Sequence, residues 1–377
     1  MTQKKAIAAG HICVDITPSF QGKKVHSVGE LLLPGKLINV GAATVSTGGS
    51  VANTGLAMKK LGADVSLMGK VGEDAFGKVI LNVAAGYGAE GGMIVDPTSA
   101  TSYSVVLAMP GVDRIFLHCT GANDTFCADD IPEEALKEAS LFHFGYPPLM
   151  AQMYRDGGDG LLKVLQKAKQ AGCVTSLDMA AVDPESEAGQ EDWKQILEKI
   201  LPWVDIFVPS VEELCFMLDR EHYEAWNKRA SGGDLTECLD LEKDVVPLAD
   251  RLMQMGPGII MIKCGVPGLY YRTTGADTFD ELAEKLGLQT DEWAGREGFE
   301  KSFVPDQVLS GTGCGDTSIA AFLTSIMRGY SLEKSVALAA ATGACCVASY
   351  DALGGLKSLD ELERRIAAGW EKIGAEE

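Results

Sequence analysis

A glycine-rich segment near the carboxyl-terminal end of the chain has the residue types and the spacing for phosphate chemistry. Gly311, Gly313 and Gly315 alternate ahead of Asp316, and such a backbone can approach a bound group without interference from a Cβ atom. An apolar run at helical spacing, 317–328, follows, so the glycines lie where a loop enters a helix. Free N–H groups and the positive end of the helix dipole then meet at one point, which predicts a site for phosphate or a developing oxyanion.

Asp316 lies inside the first turn of this predicted helix. A carboxylate at that place can take a proton from a substrate hydroxyl while the neighbouring N–H groups hold a transferring phosphoryl group. An Asp near a helix start is also a common capping residue. Asp316 alone does not decide between these two interpretations, and a second motif is needed.

That second motif begins at Gly48-Gly49, continues through Asn53 to Leu61-Gly62 at the end of a predicted helix, and closes with Val71-Gly72-Glu73-Asp74-Ala75-Phe76-Gly77. Together with the segment ending at Asp316, it resembles the paired signatures of the ribokinase-like (PfkB-type) carbohydrate kinases. Because two motifs in the right order are far more specific than either alone, the functional interpretation of Asp316 is favoured.

The resemblance implies an α/β fold of the ribokinase-like type. A central, mainly parallel sheet is flanked by helices on both faces, and a small β-sheet forms a lid over the substrate. One kinase domain would span residues 1–377, with a discontinuous lid from about 17–47 and 99–120. The alternation of the chain agrees, because apolar runs at 141–144, 174–177, 206–208 and 259–262 are separated by charged helical segments, and this pattern is typical of parallel βα units. The run 6–16 predicts a buried first strand.

The resemblance also implies an activity, the ATP-dependent transfer of a phosphoryl group to a hydroxyl of a small carbohydrate. Asp316 would be the catalytic base, and the backbone of Gly313, Cys314 and Gly315 would form an anion hole. The sugar would be bound by a carboxylate, a Gly-Gly pair and an amide, all near the amino terminus. These residues are Asp15, Gly48, Gly49 and Asn53. A turn-forming role is the alternative for Asp15, which precedes Thr17-Pro18.

Further positions match the family's nucleotide-binding region, which uses ATP with Mg²⁺. They are Ser210, Lys263, Gly265, Gly268 and Gly313, together with Glu213 near the metal. Ser210 replaces the family's Asn, which makes the local hydrogen bonding uncertain. Lys263 stands where the family often has Thr and would meet a phosphate, although a solvated lysine at a strand end is an equal alternative. Asp178 is a weaker candidate for the same region.

The motif around Asp316 departs from the family pattern at its beginning. Ser310 and Gly311 stand where the family usually has Asp-Thr, and Cys314 stands where it has Ala. In several members that Asp supplies oxygens to a monovalent-cation site. Its loss argues against activation by K⁺ here, while the anion hole and the base remain intact.

Composition limits the partners. The 377 residues carry 33 Lys and Arg against 53 Asp and Glu, a net charge of −20, which argues against nucleic acid or an anionic membrane as partner. The first five residues show no secretory signal, and no apolar stretch reaches spanning length, so a cytoplasmic protein is expected. The expected partners are the sugar and ATP, with a homodimer through the lid.

Three acidic, helix-prone segments, 187–199, 219–244 and 273–301, are interpreted as additions to the family core. Solvated surface structure is the simpler interpretation, and a dimer contact or an added side of the nucleotide site is the alternative.

Two other functions stay open. A nucleoside could be the acceptor, since nucleoside kinases share this fold; Phe116, Phe144 or Tyr146 would then stack on the base. The chain could also be a catalytically silent sugar-binding homologue, for which the changed Ser210 and Ser310 leave room.

Overall fold

The computed structural model describes residues 4–20, 24–111, 115–231 and 233–374. Fourteen strands are assigned within these ranges. They are β1 Lys5–Gly10, β2 Cys13–Pro18, β3 Ala43–Gly48, β4 Asp64–Met68, β5 Lys70–Gly72, β6 Ile94–Asp96, β7 Tyr103–Leu107, β8 Ile115–Cys119, β9 Leu141–Gly145, β10 Val174–Asp178, β11 Ile206–Phe207, β12 Ile259–Lys263, β13 Gly268–Thr273 and β14 Glu297–Lys301.

Fourteen α-helices are assigned within the same ranges. They are α1 Val28–Leu31, α2 Ser50–Lys60, α3 Ala75–Gly86, α4 Glu133–Glu138, α5 Ala151–Gln170, α6 Trp193–Ile200, α7 Val211–Leu218, α8 Arg220–Ala230, α9 Val246–Met255, α10 Ala276–Leu286, α11 Thr290–Trp293, α12 Cys314–Met327, α13 Leu332–Cys346 and α14 Leu359–Ala367.

The main sheet has eight strands in the order β14-β13-β12-β11-β10-β9-β1-β4. The pairs from β4 to β12 are parallel, and β13 and β14 are antiparallel. One apolar core includes residues of α2, α10, α12 and α13, and a second includes residues of α5, α6, α7 and α9. The mainly parallel sheet with helices on both faces is confirmed. Its parallel strands end at one edge, where ligands bind in open α/β sheets.

A second, smaller sheet has the order β3-β2-β7-β8, and we refer to it as the lid because its strands come from the segments predicted to form one. The predicted small sheet is therefore confirmed, although it begins at Cys13 rather than near residue 17. Residues 21–23 and 112–114 of the two predicted lid segments lie outside the described residues.

The prediction of one strand over 6–16 is wrong. The run forms two strands, β1 in the main sheet and β2 in the lid. Gly10 separates them with φ +120, a conformation that side chains rarely adopt, and a Cβ there would overlap with the carbonyl oxygen of Gly145. Asp15 consequently lies within a lid strand and not at the end of a main-sheet strand.

The interpretation of two acidic segments as solvated surface structure is wrong. Helix α6, within 187–200, connects β10 to β11 and buries Trp193 and Ile196. The segment 273–301 contains α10, which buries Phe279, and ends in β14, which extends the main sheet. Their acidic residues mark only the exposed faces of elements whose other faces belong to the core.

Candidate active site

The loop before α12 and the first turn of that helix have the backbone expected for binding an anion. Gly313 is the N-cap residue in the left-handed conformation, φ 75 and ψ 1, and a Cβ there would overlap with that of Ala352. A Cβ on Gly315 would lie 3.2 Å from Cδ of Lys263. The N–H of Cys314 makes a long hydrogen bond, 3.4 Å, to the carbonyl of Gly311. At Gly313 and Gly315, therefore, no side chain covers the backbone of the helix start, and Lys263 lies beside it.

Asp316 is 3% exposed, and three side chains donate to its carboxylate. Asn53 Nδ2 lies 3.0 Å from Oδ2, Thr54 Oγ1 lies 3.3 Å from Oδ1, and the Tyr146 hydroxyl lies 2.9 Å from each oxygen. Asn53 and Thr54 come from α2, so the two sequence motifs meet at this carboxylate. An N-cap residue bonds to backbone N–H groups of its own helix. Asp316 is instead held by other elements, which does not fit the capping interpretation.

The electrostatics of Asp316 suit a proton acceptor. Burial raises the pKa of this carboxyl above its ordinary value, while Lys263 and the donors on Asn53, Tyr146 and Thr54 oppose the rise. Burial makes a carboxylate bind a proton more readily than an exposed one does, and hydrogen-bond donors limit this effect.

Lys263 forms a buried ion pair with Asp178, Nζ to Oδ1 2.6 Å, with side chains 12% and 0% exposed. Burial alone would lower the pKa of Lys263, but the carboxylates of Asp178 and Glu213 outweigh it and raise the pKa. Asp178 Oδ2 has no hydrogen-bond partner among the described residues. The alternative of a solvated lysine is therefore wrong, and a cation is fixed beside Gly315.

Ser210 and Glu213 close the start of α7 with a reciprocal capping box. The N–H of Ser210 donates to Glu213 Oε2 at 2.8 Å, and the N–H of Glu213 lies 3.4 Å from Ser210 Oγ. Ser210, which replaces the family's Asn, thus makes a complete set of capping hydrogen bonds with Glu213. One carboxylate oxygen of Glu213 is used in this way.

A cavity of about 660 Å³ joins these groups. The residues that line it include Asp316, Gly315, Lys263, Ser210, Glu213, Gly265 and, from the acidic segment 219–244, Asp234 and Thr236. Part of the segment 219–244 therefore forms one side of this cavity. Gly268 instead packs against the carbonyl of Glu300 in β14.

Across Asn53, a second cavity of about 270 Å³ lies towards the lid. Ser46 and Thr47 of β3, Lys60 of α2 and the loop 351–354 border it together with Asn53. The Asn53–Asp316 hydrogen bond therefore lies between two spaces, a large one at the start of α12 and a small one beside the lid.

Asp15 and the Gly-Gly pair lie together where the lid meets α2. A Cβ on Gly48 would overlap with the carboxylate of Asp15, and one on Gly49, φ +82, would lie 2.6 Å from Nδ1 and from the carbonyl oxygen of His11. Burial raises the pKa of Asp15, and the negative charge of Asp316 adds to the rise. Both glycines are required sterically by the groups beside them.

Three further side chains at this place were not predicted as site residues. His11 Nε2 lies 3.3 Å from Nε2 of His118 in β8, and the His11 and Tyr146 rings are 6.1 Å apart. His118 Nδ1 lies 3.0 Å from Ser104 Oγ in β7. Burial lowers the pKa of His11 well below its ordinary value, so it is neutral at neutral pH. No motif spacing marks these residues, because the lid brings them together.

The model of the pfkB family of carbohydrate kinases matches residues 12–358. The chain belongs to this family. Among relatives of this pfkB-family chain, probable fructokinase-5 of Arabidopsis thaliana is 24% identical over 364 residues, 92% of each protein. The 5-dehydro-2-deoxygluconokinase of Clostridium perfringens is 25% identical over 87% of this chain and 86% of that protein. The match to fructokinase-1 of Zea mays, 27% identical, spans 56% of this chain and 61% of that protein.

Solved structures share the fold of this pfkB-family chain. The Arabidopsis thaliana ribokinase complexed with ribose and ATP has a TM-score of 0.69 at 19% identity, covering 96% of this chain and 98% of the other. A ribokinase II from E. coli in complex with ATP and Mg²⁺ has a TM-score of 0.70 at 21% identity, covering 97% and 99%. Among the described residues, no helix is both long and apolar enough to cross a membrane.

Proposed function

We propose that this chain is an ATP-dependent sugar kinase that uses Asp316 as its catalytic base. The observation that carries the proposal is the Asn53–Asp316 hydrogen bond of 3.0 Å, because it joins the two sequence motifs at a buried carboxylate that lines the larger cavity. The larger cavity would take the nucleotide, and the sugar would lie beside Asp15 and the Gly48-Gly49 pair, where the lid meets α2. The acceptor hydroxyl and the phosphoryl group would then meet at Asp316.

The larger cavity fits the phosphates of ATP. It combines the bare backbone of Gly313 and Gly315, the positive end of the α12 dipole and the ammonium of Lys263. These features attract an anion at the point where charge develops during phosphoryl transfer. The net charge of −20 makes such local positive groups necessary.

In the proposed reaction, Asp316 accepts the proton of the sugar hydroxyl as the hydroxyl oxygen bonds to phosphorus. The bond to the leaving oxygen breaks, and that oxygen departs with ADP. When bound, ATP with Mg²⁺ supplies the electrophilic phosphoryl group with its charge partly neutralised. The N–H groups of Gly313–Gly315 and the ammonium of Lys263 stabilise the charge on the transferring group.

Glu213 is the side chain that we propose to hold the metal. One of its oxygens closes the capping box with Ser210, and the residue lines the larger cavity. Within the ranges that the structure describes, no three His, Cys, Asp or Glu side chains group to bind a metal ion. Mg²⁺ would therefore enter with the phosphates, with Glu213 contacting it directly or through water.

Asp15, Asn53 and the backbone of Gly48 and Gly49 would bind the sugar. A carboxylate can accept from two hydroxyls at once, and an amide can both donate and accept. A sugar is favoured over a nucleoside because two of the three aromatic candidates for base stacking are placed elsewhere. Phe144 is fully buried in the core, and Phe116 is 51% exposed on the lid.

The proposal is tested by measuring ADP release with Mg-ATP against ketoses, aldoses, sugar acids and nucleosides. We expect turnover with at least one free sugar. A protein that binds ATP but turns over no acceptor would be the silent homologue, and a protein that turns over only nucleosides would overturn the assignment of the acceptor.

We propose further that K⁺ does not activate the enzyme. Ser310, at the position of the family's Asp, directs its hydroxyl to Thr312 Oγ1 at 3.1 Å and accepts from the N–H of Thr312. Equal rates in NaCl and KCl are expected, and a large increase in KCl would contradict this.

We also propose a homodimer through the lid. Val45 of β3 is 51% exposed and Leu117 of β8 is 56% exposed, and exposed apolar side chains on a small sheet favour pairing. Light scattering would show a dimer that Leu117→Asp disrupts. A monomer in the unaltered protein would overturn this proposal.

A further inference from the structure

Tyr146 directly follows strand β9 and has an unusual backbone for its residue type. Its φ of 65 and ψ of 43 are left-handed, a conformation that costs energy for residues other than glycine and persists at functional sites. The N–H of Tyr146 lies 3.3 Å from the carbonyl of Asp178, and its own carbonyl accepts from Leu149 at 3.0 Å. The strand end and the following turn therefore hold the residue in this conformation.

Among the described residues, its phenol donates to the carboxylate of Asp316. The hydroxyl lies 2.9 Å from both Oδ1 and Oδ2, so a single O–H is shared between the two oxygens. Burial raises the pKa of Tyr146 well above its ordinary value, and the charge of Asp316 adds to this. The phenol therefore stays protonated and acts as a donor.

The donors around Asp316 leave little room for a further hydrogen bond. Oδ2 accepts from Asn53 and Tyr146, and Oδ1 accepts from Thr54 and Tyr146. The carboxylate offers about four lone-pair positions, and three donor hydrogens occupy them, with the hydrogen of Tyr146 bridging one position on each oxygen. An acceptor hydroxyl can therefore make a full hydrogen bond to one oxygen of Asp316 when the shared O–H of Tyr146 moves entirely to the other oxygen.

We propose that Tyr146 is a positioning residue that holds Asp316 ionised and correctly oriented, and that yields one carboxylate oxygen to the sugar hydroxyl. Because its O–H is shared, the phenol can keep a full hydrogen bond to one oxygen while it frees the other. Asn53 and Thr54 each bond to one oxygen only and cannot make this exchange. The inference rests on the proposed role of Asp316 as the base.

Tyr146→Phe tests the inference, because it removes the hydroxyl and keeps the ring. Loss of a donor raises the pKa of Asp316 further, so the acid limb of the pH profile of kcat/KM should move to higher pH. The value of kcat at neutral pH should fall about ten- to hundredfold, as expected for a hydrogen bond to a charged group, while the KM for ATP stays unchanged. Tyr154→Phe is the matched control, since Tyr154 is a buried tyrosine of α5 in the second core.

A shifted acid limb with the control unchanged would support the inference. An acid limb at the same pH as in the unaltered protein would overturn it, whether kcat falls or not, because a packing role would lower kcat without moving the limb. Failure of the base assignment is seen separately, as turnover by Asp316→Asn. Thermal unfolding and ATP binding of Tyr146→Phe confirm that the variant is folded.

Discussion

Lys263 and Asp178 end strands β12 and β10, on either side of β11, and their side chains form an ion pair of 2.6 Å at the edge of the sheet where the cavity opens. The Lys263 ammonium also faces the bare backbone of Gly315. One cation therefore compensates a fully buried carboxylate and stands at the proposed phosphate site. These two functions can be separated experimentally.

Lys263→Met should lower both stability and activity. It leaves the charge of Asp178 buried without a partner, which typically costs about 3–5 kcal/mol of unfolding free energy. Adding Asp178→Asn removes that charge and should restore most of the stability. In both variants, turnover should be about 10²-fold lower than in the unaltered protein, because the ammonium group at the proposed phosphate site is missing.

Urea unfolding and steady-state kinetics on the same samples measure the two effects. Lys5→Met is the matched control, because Lys5 pairs with Glu138 at 2.8 Å on the exposed surface, where an ion pair contributes little to stability. Recovery of activity along with stability in the double variant would show that Lys263 acts only through Asp178.

Gly313→Ala should lower the free energy of unfolding by more than backbone strain alone explains. It should also disturb the proposed anion site. The left-handed conformation of Gly313 alone costs alanine about 1–2 kcal/mol, and the new Cβ would also overlap with Ala352. Gly295→Ala is the control, since Gly295 has φ +65 with open space around it. Denaturant unfolding should show a larger loss for Gly313→Ala, and its KM for ATP or its kcat should change. Equal stability losses with normal kinetics would contradict the steric argument.

The acid limb of the pH profile of kcat/KM should lie at a pH above the ordinary pKa range of aspartate. A base must be ionised, so kcat/KM decreases as the pH falls through the pKa of Asp316, and burial raises that pKa. Lys263 opposes the rise, so the limb in Lys263→Met should lie at higher pH still. A pH–rate profile of both proteins measures this. A limb at or below pH 4, the value for an exposed aspartate, would contradict the buried base.

Much of the site could be predicted because short motifs specify it. Asp316, Gly313, Asn53 and the Gly-Gly pair lie at fixed offsets from helix starts, so sequence spacing alone brings them to the beginning of α12 or α2. The strands 141–144, 174–177, 206–208 and 259–262 were also predicted to within about two residues, since buried parallel strands form continuous apolar runs.

The rest depends on distant contacts. Tyr146 reaches Asp316 through a left-handed backbone that no propensity predicts for tyrosine. His11 meets His118 only because β2, which follows His11, and β8 belong to the same small sheet. The role of Lys263 required the burial of Asp178, which lies 85 residues earlier in the chain. The break between β1 and β2 likewise follows from the contact of Gly10 with Gly145.

The most direct test of the central claim is the single-turnover rate of phosphoryl transfer in Asp316→Asn, with ATP affinity measured on the same protein. Asparagine keeps the size and the contacts with Thr54 but cannot accept the proton of the sugar hydroxyl. The account predicts near-normal ATP binding and a rate lower by about 10²–10⁴-fold, the usual contribution of a general base. A rate within a few-fold of the unaltered protein would contradict the role of Asp316.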